Sequence, residues 1–440
     1  MLRLHDTAYG TVRELTLRDP GRVSIYVCGP TVYDVPHIGH GRAALTYDIL
    51  RRYLEWTGLA VDHVSNITDI DDKIIQRANE RGRSADDVAA EFEQAWWDAV
   101  DALGVLRPTH DPHATAFVDR MLELIGELMA GDMAYETDDG VYFVSESVAD
   151  YGLLARQTLD SLRSGARVEV EEQKRSPLDF VLWKKAKPGE PSWESPWGPG
   201  RPGWHTECVV MSLDLLGDGF DLHSGGLDLM FPHHENERAQ AVALGHAFAR
   251  HWMHHAFVEV GGEKMSKSLD NFTSLTDLLA RHDARAYRLL VLRSHYRSPM
   301  EVTPETMADA ESGLDRLDSF ARRFKPTSTA DQGALDRFRE LMDDDLRTPQ
   351  AVALLFDLVG QANASDDAAA AAAAYEIAGA MGLELRGAAD EVDAETHALM
   401  AERDAARAAR DFARADAIRD ALQSLGWVVE DTAEGTRVHR

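Results

Sequence analysis

The sequence predicts an α/β protein that is built on a parallel sheet, and three observations support this prediction. Residues 22–28, RVSIYVC, are apolar and β-branched, as expected of a buried parallel strand. Residues 42–56 then show helical periodicity, and a second strand pattern at residues 60–67 precedes a helical stretch that begins near Asp71. Alternating strands and helices are typical of parallel sheets, whose ligands bind at the carboxyl ends of the strands. We therefore expect a functional site where the first strand ends.

Length and composition narrow the class of protein. The chain has 440 residues, of which 44% are hydrophobic, so it can bury a sizeable core and suggests about two to four domains. No run approaches the roughly 18 apolar residues of a membrane span, and the first residues lack the apolar core of a signal peptide. We expect a soluble, cytoplasmic protein with no membrane partner. The net charge of -29 argues against broad, nonspecific nucleic-acid binding, although a local basic surface stays possible.

The alternation is interrupted in the middle of the chain. Residues 138–203 lack a regular pattern apart from a short strand near Val141, and five prolines lie after residue 187 in this stretch. Strand and helix patterns resume near Cys208 and continue to residue 260. We interpret residues 115–203 as an insertion into the α/β domain.

The remainder of the chain is mainly helical. Helical patterns follow residue 260, with breaks at prolines, and residues 394–425 predict one long helix. Two short strand patterns at residues 427–430 and 436–439 predict a terminal hairpin.

Two histidines mark the loop that follows the first strand. His37 and His40 flank a glycine, Gly39, at a helix start, where backbone N–H groups and the helix dipole favour phosphate. Imidazoles placed there can donate hydrogen bonds to a phosphoryl oxygen as its charge grows. The alternative is a pair of ordinary surface histidines. The sequence contains no Walker A motif that would supply another phosphate cradle.

A lysine-rich segment follows a later strand. Lys264-Met265-Ser266-Lys267-Ser268 comes directly after a Gly-Gly pair that would let the loop move. Two ammonium groups on such a loop can stabilise charge on a leaving pyrophosphate. A solvated basic loop is the competing interpretation.

Four other side chains form a possible metal site. His233 and Glu237 are four residues apart, which places them on one face of a helix. Cys28 ends the first strand, and Cys208 precedes that helix. Two thiolates, one imidazole and one carboxylate suit tetrahedral zinc. The alternatives are two buried cysteines without a ligand role, or a zinc ion that only joins the two halves of the sheet.

The order of these motifs resembles a known enzyme class. The sequence HIGH after the first strand, followed by KMSKS, is similar to the class I aminoacyl-tRNA synthetases. Across nearly the whole chain the match is to the cysteinyl-tRNA synthetase family. It is carried by the segments YVCGPTVYDVPHIGH, NITDIDDKII, GWHTECVVMS, DLHSGGLDLMFPHHENERAQ, EKMSKSLDNF and DFARADAIRDAL.

The resemblance implies an activity and its cofactors. The expected reaction joins L-cysteine to ATP as cysteinyl-adenylate and then transfers the cysteinyl group to the terminal adenosine of tRNA(Cys). Mg²⁺ is expected to accompany ATP. One Zn²⁺ per chain is expected to bind the substrate thiolate and thereby exclude serine, since a soft thiolate bonds zinc better than an alcohol does.

The resemblance also assigns the site residues. The zinc ligands are Cys28, Cys208, His233 and Glu237. The catalytic residues are His37, His40, Lys264 and Lys267, and Gly39 joins the two histidines and Lys267 at ATP. The cysteine and adenylate pocket is assigned to Thr68, Trp204, His223 and Asp228. His205 and His234 are expected only to support these residues or to fill the core.

Domain boundaries follow from the patterns and the resemblance together. We expect a monomer in which a Rossmann-like parallel-sheet domain is split by the insertion and followed by a helical domain and a small α+β tail. The predicted segments are 1–114 with 204–262 for the catalytic domain, 115–203 for the inserted subdomain, 263–305 for the KMSKS loop and stem-contact region, 306–390 for a helical bundle, and 391–440 for the anticodon-binding region.

Two arginine-rich stretches are candidates for contact with tRNA. Arg281, Arg285 and Arg288 are spaced to share a helix face, which we expect to contact the tRNA backbone; a solvated face is the alternative. A second stripe on the last long helix is equally compatible with a solvated face, and it consists of Arg403, Arg407, Arg410 and Arg414. The final residues TRVHR lack the terminal tryptophan that the family would lead us to expect.

Two other functions compete with this interpretation. A cysteine ligase of mycothiol synthesis would form the same adenylate but transfer cysteine to an amino sugar, without needing the terminal region. A non-catalytic, zinc-containing RNA-binding relative would not need both HIGH and KMSKS.

Overall fold

We describe the protein from a computed structural model, in which residues 1–158, 173–260, 263–264, 273–326, 328–387, 394–432 and 435–439 are placed well enough to describe. None of the described helices combines the length and the apolar character that crossing a bilayer requires.

The described residues form strands and helices along the whole chain. The strands are β1 (Arg3–Asp6), β2 (Thr11–Glu14), β3 (Arg22–Val27), β4 (Ala60–Ser65), β5 (Ala134–Glu136), β6 (Gly140–Phe143), β7 (Phe180–Lys185), β8 (Gly200–Pro202), β9 (Phe220–Gly226), β10 (Ala249–His255), β11 (Val258–Val260), β12 (Glu263–Lys264), β13 (Met300–Glu301), β14 (Val428–Thr432) and β15 (Gly435–His439). The helices are α1 (Ile38–Trp56), α2 (Asp72–Arg81), α3 (Ala85–Ala102), α4 (Val118–Ala130), α5 (Trp204–Leu216), α6 (Glu235–Ala243), α7 (Leu275–Leu279), α8 (Ala284–Leu292), α9 (Pro304–Arg323), α10 (Gln332–Asp343), α11 (Thr348–Ser365), α12 (Ala368–Ala380), α13 (Ala394–Ala408) and α14 (Phe412–Ser424).

A four-stranded parallel sheet of order β10-β9-β3-β4 confirms the predicted fold class. Ile25 of β3 pairs with His63 of β4 on one side and Leu222 of β9 on the other. Because parallel neighbours need a crossover, α1 leaves the end of β3 and returns to β4, burying Leu45, Leu50 and other apolar residues on the way. The later strands join the opposite side of β3, so the chain reverses its direction of travel across the sheet at β3. A crevice for ligands is expected at such a switch point.

The predicted insertion contains more regular structure than its sequence pattern indicates. An antiparallel sheet of order β5-β6-β7-β8 occupies much of it, so the expectation of an irregular stretch is wrong for β7 and β8. Pro202 is tolerated because β8 is an edge strand, where a missing N–H donor breaks no ladder. Trp183 of β7 is fully buried in one apolar cluster with Val209 of α5, which joins the insertion directly to the main sheet.

The helical region packs against the same body. Helices α9 to α12 share one apolar cluster with α1 and with β3, and Phe320, Phe338 and Leu355 are among its fully buried members. Helix α9 begins with Pro304 behind a Thr303 capping box, an arrangement favoured at helix starts.

The long terminal helix of the prediction is two helices. Helix α13 ends before Arg410, whose φ of 60° is left-handed, and Asp411 then caps α14. The predicted hairpin is confirmed as β14 paired with β15. A small separate cluster of Ile418, Leu422 and Val438 holds the tail together.

Candidate functional site: a thiol-histidine cluster beside the start of a helix

The loop after β3 is held tightly against the neighbouring strands. The backbone N–H of Cys28 donates to the carbonyl of Ser224 at the end of β9, at 3.1 Å. Gly29 donates its N–H to Asn66 Oδ1 at 2.9 Å. A Cβ atom at Gly29 would lie 1.7 Å from the Asn66 carbonyl oxygen, so only glycine fits here. Cys28 is thereby fixed between the carboxyl ends of three strands.

His37 and His40 cap the start of α1 reciprocally. His37 is the N-cap residue, and its Nδ1 accepts from the His40 N–H at 3.3 Å, while His40 Nδ1 accepts from the His37 N–H at 3.2 Å. The two rings stack with their centroids 3.7 Å apart. Because Nδ1 is the acceptor in both rings, the ring proton belongs on Nε2. Both imidazoles can therefore donate from Nε2 near the positive end of the helix.

The four side chains predicted to bind a metal come together in the folded chain. We call them the thiol-histidine cluster, which consists of Cys28, Cys208, His233 and Glu237. One donor atom of each lies within 4.8 Å of the others. The two Sγ atoms are 3.8 Å apart, and Cys208 Sγ is 3.8 Å from His233 Nε2. Glu237 Oε1 lies 3.0 Å from His233 Nε2 and 3.6 Å from Cys28 Sγ. The two cysteines are 180 residues apart in the sequence. They lie close together in the fold because β3 and α5 pack against each other.

Burial and mutual contacts shift the pKa values of the residues in the cluster. The hydrogen bond from the Cys28 thiol lowers the pKa of Cys208 to about 6, with His233 adding to the effect against burial. Burial raises the pKa of the Cys28 thiol well above its ordinary value. Burial alone would lower the pKa of His233, but the charge of Glu237 and the Cys208 contact raise it to about 10. Burial likewise opposes ionisation of Glu237, yet the charges of His223 and His233 hold the pKa of that carboxyl well below its usual range. Such a cluster releases protons when a cation binds.

A wider group of buried histidines surrounds these four side chains. His205 Nδ1 lies 3.0 Å from His233 Nδ1, which orients the His233 ring so that Nε2 faces the cysteines. His223 Nε2 lies 2.6 Å from Glu237 Oε2, and His234 Nε2 lies 3.3 Å from Cys28 Sγ. Cys28, His223, His234 and Glu237 thus form a second possible ligand set, which overlaps the first.

Sequence reasoning missed this second set. The sequence signal for it was the pair of adjacent histidines in PHHENE. Phe231, just before them, has non-helical backbone angles, so helical periodicity does not predict where the two rings lie.

One cavity of about 410 Å³ extends from Cys28, at the edge of the thiol-histidine cluster, to the start of α1. Cys28, His37, Gly39 and His40 line it, together with Trp204 and Asp228. A cavity of this size, mostly apolar with a few converging polar groups, suits a small ligand. Six residues predicted separately from sequence therefore face a common space.

Two residues of the predicted cysteine pocket lie elsewhere. Thr68 is buried and its Oγ1 donates to Glu207 Oε2 at 2.8 Å, and His223 is buried against Glu237. Neither lines the cavity. Their contacts indicate that they orient neighbours, whereas Trp204 stacks on His233 at 3.9 Å between centroids and does face the cavity.

The lysines of the KMSKS segment fall largely outside the described residues. The backbone of Lys264 lies in β12, which pairs with β11 next to the cavity-lining Val258. Residues 265–272, including Lys267, lie outside the described part of the chain. Their contact with ATP stays a prediction.

The predicted RNA-facing arginines do not form one exposed helix face. Arg288 is 1% exposed, and its guanidinium pairs with Asp48 and donates to the carbonyls of Leu103 and Gly104. The prediction that Arg288 lies on an exposed face is wrong, because helical spacing does not distinguish a solvated face from a buried one whose charge is compensated. Arg285 is paired with Asp283 and Asp318, and Arg281 precedes α8 at an exposed position.

Arginines of the terminal stripe also form ion pairs and hydrogen bonds within the protein. Arg403 is buried and donates to Asp431 and Thr436, at 2.6 and 2.7 Å. Arg407 pairs with the same aspartate, and Arg414 pairs with Glu402. Three members of the stripe therefore contribute to the packing of α13, α14 and the hairpin.

Comparison with family models covers most of the chain. Residues 14–312 match the model described as the class I (C) tRNA synthetase catalytic domain, residues 337–386 match the DALR domain, and residues 389–439 match the cysteinyl-tRNA ligase anticodon binding domain.

Curated relatives and a solved structure agree with these matches. A cysteine–tRNA ligase of Halorhodospira halophila is 48% identical, and one of Alkalilimnicola ehrlichii is 47% identical, each covering 100% of both chains. Methionyl-tRNA synthetase of Mycobacterium tuberculosis, solved with methionyl-adenylate, superimposes with a TM-score of 0.60 at 16% identity, over 82% of this chain and 90% of that one. The last comparison supports the fold alone.

Proposed function

The chain belongs to the cysteinyl-tRNA ligase family of class I aminoacyl-tRNA synthetases, which are ATP-dependent ligases, and we propose that it carries out both steps of cysteine attachment. In the first step L-cysteine and ATP give cysteinyl-adenylate and pyrophosphate. In the second the cysteinyl group passes to the 3′-terminal adenosine of tRNA(Cys). The protein is proposed to act as a monomer, with Zn²⁺ in the thiol-histidine cluster and Mg²⁺ accompanying ATP.

The observation that carries this proposal is the shared cavity. Cys28 reaches it from the thiol-histidine cluster, and His37 and His40 reach it from the start of α1. A ligand with a thiol at one end and a phosphate at the other would meet complementary groups at both ends. Cysteinyl-adenylate has this composition.

The four predicted ligands fit zinc in their chemistry and spacing. Zinc is commonly held by thiolate, imidazole and carboxylate, with Zn–S bonds of about 2.3 Å, for which two sulfurs of a tetrahedron lie about 3.8 Å apart. The sulfurs of Cys28 and Cys208 are 3.8 Å apart. When bound, zinc would supply a soft Lewis acid that favours a substrate thiolate over an alcohol.

The residues around the ligands serve orientation. His205 holds the ring of His233, and His223 holds the carboxylate of Glu237. Partners of this kind fix the direction of the donor atoms and commonly matter for metal affinity. Trp204 stacks on the ring of His233 and shields the stacked face from water.

The helix start would act on the phosphates. The amino-acid carboxylate attacks the α-phosphorus, one P–O bond forms, and the bond to pyrophosphate breaks. His37 and His40 would donate from Nε2 to phosphate oxygens as negative charge accumulates, in a position already fixed by reciprocal capping. Catalysis of this type depends on positioning and electrostatics, and no protein nucleophile is required.

The match of residues 389–439 to an anticodon-binding domain favours tRNA over an amino sugar as the acceptor. A ligase that transfers cysteine to glucosaminyl-inositol would not use such a domain. The intact HIGH sequence and its cavity likewise argue against a non-catalytic RNA-binding role.

One experiment tests the whole proposal. Purified protein is assayed for zinc content, for ATP–pyrophosphate exchange with cysteine and with serine, and for transfer of cysteine to tRNA(Cys) or to glucosaminyl-inositol. We expect one zinc per chain, exchange with cysteine only, and charging of tRNA. Exchange without tRNA charging would reject the proposed acceptor, and equal exchange with serine would reject the role of the cluster in selection.

A further inference from the structure

The chain segment that carries the KMSKS lysines is attached to the start of α1 where the segment ends. The backbone N–H of Ile38 donates to the carbonyl of Thr273 at 3.1 Å. The N–H of Leu275 donates to the carbonyl of Pro36 at 2.9 Å. Both bonds involve direct neighbours of His37, the N-cap residue of α1. The exit of the segment is therefore fixed beside one of the two capping histidines.

Arg42, one turn further along α1, attaches the entry of the same segment. Its Nη1 donates to the carbonyl of Phe257 at 2.5 Å. Phe257 directly precedes β11, which pairs with β12, the strand that contains Lys264. Nη2 of Arg42 also reaches three carbonyls in the loop before β13, at 3.3, 3.4 and 2.5 Å, which belong to His295, Tyr296 and Ser298. Because β13 is the other neighbour of β11, one guanidinium holds both sides of this small sheet to α1.

The charge of Arg42 is buried without an ion pair. The residue is 1% exposed, and its partners among the described residues are backbone carbonyls and no carboxylate. Arg288, also buried against α1, is instead paired with Asp48. Burial lowers the pKa of Arg42 to about 10, so the side chain stays charged at pH 7. Burial and then the charge of Arg42 lower the pKa of the cavity-lining His255 to about 4, so this charge acts on the cavity wall. Buried charges are normally paired, because their desolvation is costly.

We propose that Arg42 is a positioning residue for adenylate formation, whose hydrogen bonds hold the strand leading to Lys264 at a fixed distance from the histidines of α1. The inference rests on the function proposed above. In that step a carboxylate oxygen of cysteine bonds to the α-phosphorus, and the bond from that phosphorus to the bridging oxygen of pyrophosphate breaks. The electron pair goes to pyrophosphate, so the histidine and lysine donors are needed along one phosphate chain at the same moment. A misplacement of about 1 Å costs about 100-fold in such a step.

The test starts from ATP–pyrophosphate exchange by Arg42→Lys. Lysine keeps the positive charge but loses the planar fork of donors. We expect kcat to fall about 10- to 100-fold and the KM values for ATP and cysteine to change less than about threefold, because charge on pyrophosphate grows only towards the transition state. Arg42→Gln, which removes the charge and keeps one planar amide donor, should show the same separation of kcat from KM. The zinc content of both variants should equal that of the unaltered protein.

A double-mutant cycle identifies the groups through which Arg42 acts. Lys264 and Lys267 are both replaced by alanine, and adenylate formation is followed in single turnovers. In this background Arg42→Lys should slow the step by no more than about a further twofold, since the lysines that Arg42 positions are gone.

Arg288→Met is the matched control. Arg288 is equally buried, but its contacts are with Asp48, Leu103, Gly104 and Met381 and not with the strands around β11. Its loss should lower stability and leave kcat of exchange within about threefold of the unaltered protein. The proposal is overturned if Arg42→Lys keeps the original kcat, if Arg288→Met loses as much kcat, if only the KM for ATP rises, or if the effects in the cycle multiply. Absence of cysteine-dependent exchange in the unaltered protein would instead reject the proposed function, and this inference with it.

Discussion

Arg288 of α8 and Asp48 of α1 form a buried ion pair, with Nη1 and Oδ2 2.5 Å apart. Asp48 is also contacted by Arg52, and its Oδ1 accepts from the backbone N–H of Leu106. The pair thus joins the helix that carries His37 and His40 to the helical region that follows residue 273. A buried pair of this kind contributes little compared with an apolar replacement, but loss of one partner leaves a charge without compensation.

We therefore expect Arg288→Met to destabilise the protein by about 3 kcal/mol, near the low end for such a loss because Arg52 still contacts Asp48. Urea unfolding followed by circular dichroism measures this change. Arg337→Ala removes an exposed pair with Glu340 and should change the stability by less than about 0.5 kcal/mol. Combining Arg288→Met with Asp48→Asn removes the uncompensated charge and keeps an acceptor for the Leu106 N–H, so this double variant should recover much of the lost stability. A double variant as unstable as Arg288→Met would contradict this account.

Removal of a predicted metal ligand should abolish zinc binding and cysteine activation together. Cys28→Ser and His233→Ala each leave only three of the four donors of the cluster. We expect exchange with cysteine to fall by more than about 100-fold in both variants. Zinc content is measured by atomic emission on protein purified without added metal. A zinc-free variant that still prefers cysteine to serine would refute the role of the cluster in selection.

His223→Ala should weaken zinc binding without abolishing it. His223 orients Glu237 through the 2.6 Å contact, and loss of such a partner typically costs about 10- to 100-fold in metal affinity. Competition with a chromophoric chelator gives the dissociation constant. His246→Ala, a change at a half-exposed histidine beyond the cluster, is the control. Complete loss of zinc in the His223 variant would instead favour the overlapping ligand set that includes His223 and His234.

Two substitutions at His37 should separate its two roles. His37→Ala removes the capping acceptor and the outward donor, so we expect exchange to slow by about 100- to 1000-fold and stability to fall by about 1 kcal/mol. His37→Asn keeps a capping acceptor but loses the imidazole donor. We therefore expect it to slow exchange as His37→Ala does, with little loss of stability. Exchange kinetics and thermal unfolding of both variants are the measurements. Equal stability losses would show that the cap is unimportant.

The low pKa of His63 predicts a pH dependence of stability. The folded-state pKa of about 4 lies below the usual value near 6.5, so the unfolded chain takes up the proton first. This residue's contribution to stability is therefore present above pH 6.5 and declines as the pH falls towards 4. Between pH 7 and pH 5 the unaltered protein should lose about 2 kcal/mol more than His63→Leu. Denaturant titrations at both pH values test this, and parallel losses would contradict the assigned shift.

The sequence predicts the central sheet well because its strands have local signatures. Residues 22–28 are apolar and α1 is periodic, so both are found without tertiary information. The strands β7 and β8 are missed because their pairing is with each other and with β6, in a stretch whose prolines favour loops. The break at Arg410 is missed because a non-glycine residue with positive φ leaves no compositional signal.

In the candidate site, too, some features are predictable from the sequence and others depend on the tertiary structure. Cys28, Cys208, His233 and Glu237 are proposed from residue types and from resemblance, and the fold brings them together. The overlapping set with His223 and His234 depends on the direction of side chains around a distorted turn, which periodicity does not supply. Arg288 has the right spacing for an exposed face, but its burial depends on Asp48, 240 residues away.

The reciprocal cap at the start of α1 limits which side chains could replace its histidines. Serine, threonine or asparagine can accept from a helix N–H, but each spends its short polar group on that bond. Imidazole is a rigid ring with an acceptor on one edge and a donor on the other. It can close a helix turn on one side and address an anion on the opposite side at the same time. For a designer who wishes to transplant this element, the two histidines and the helix turn between them form one unit that has to be moved together.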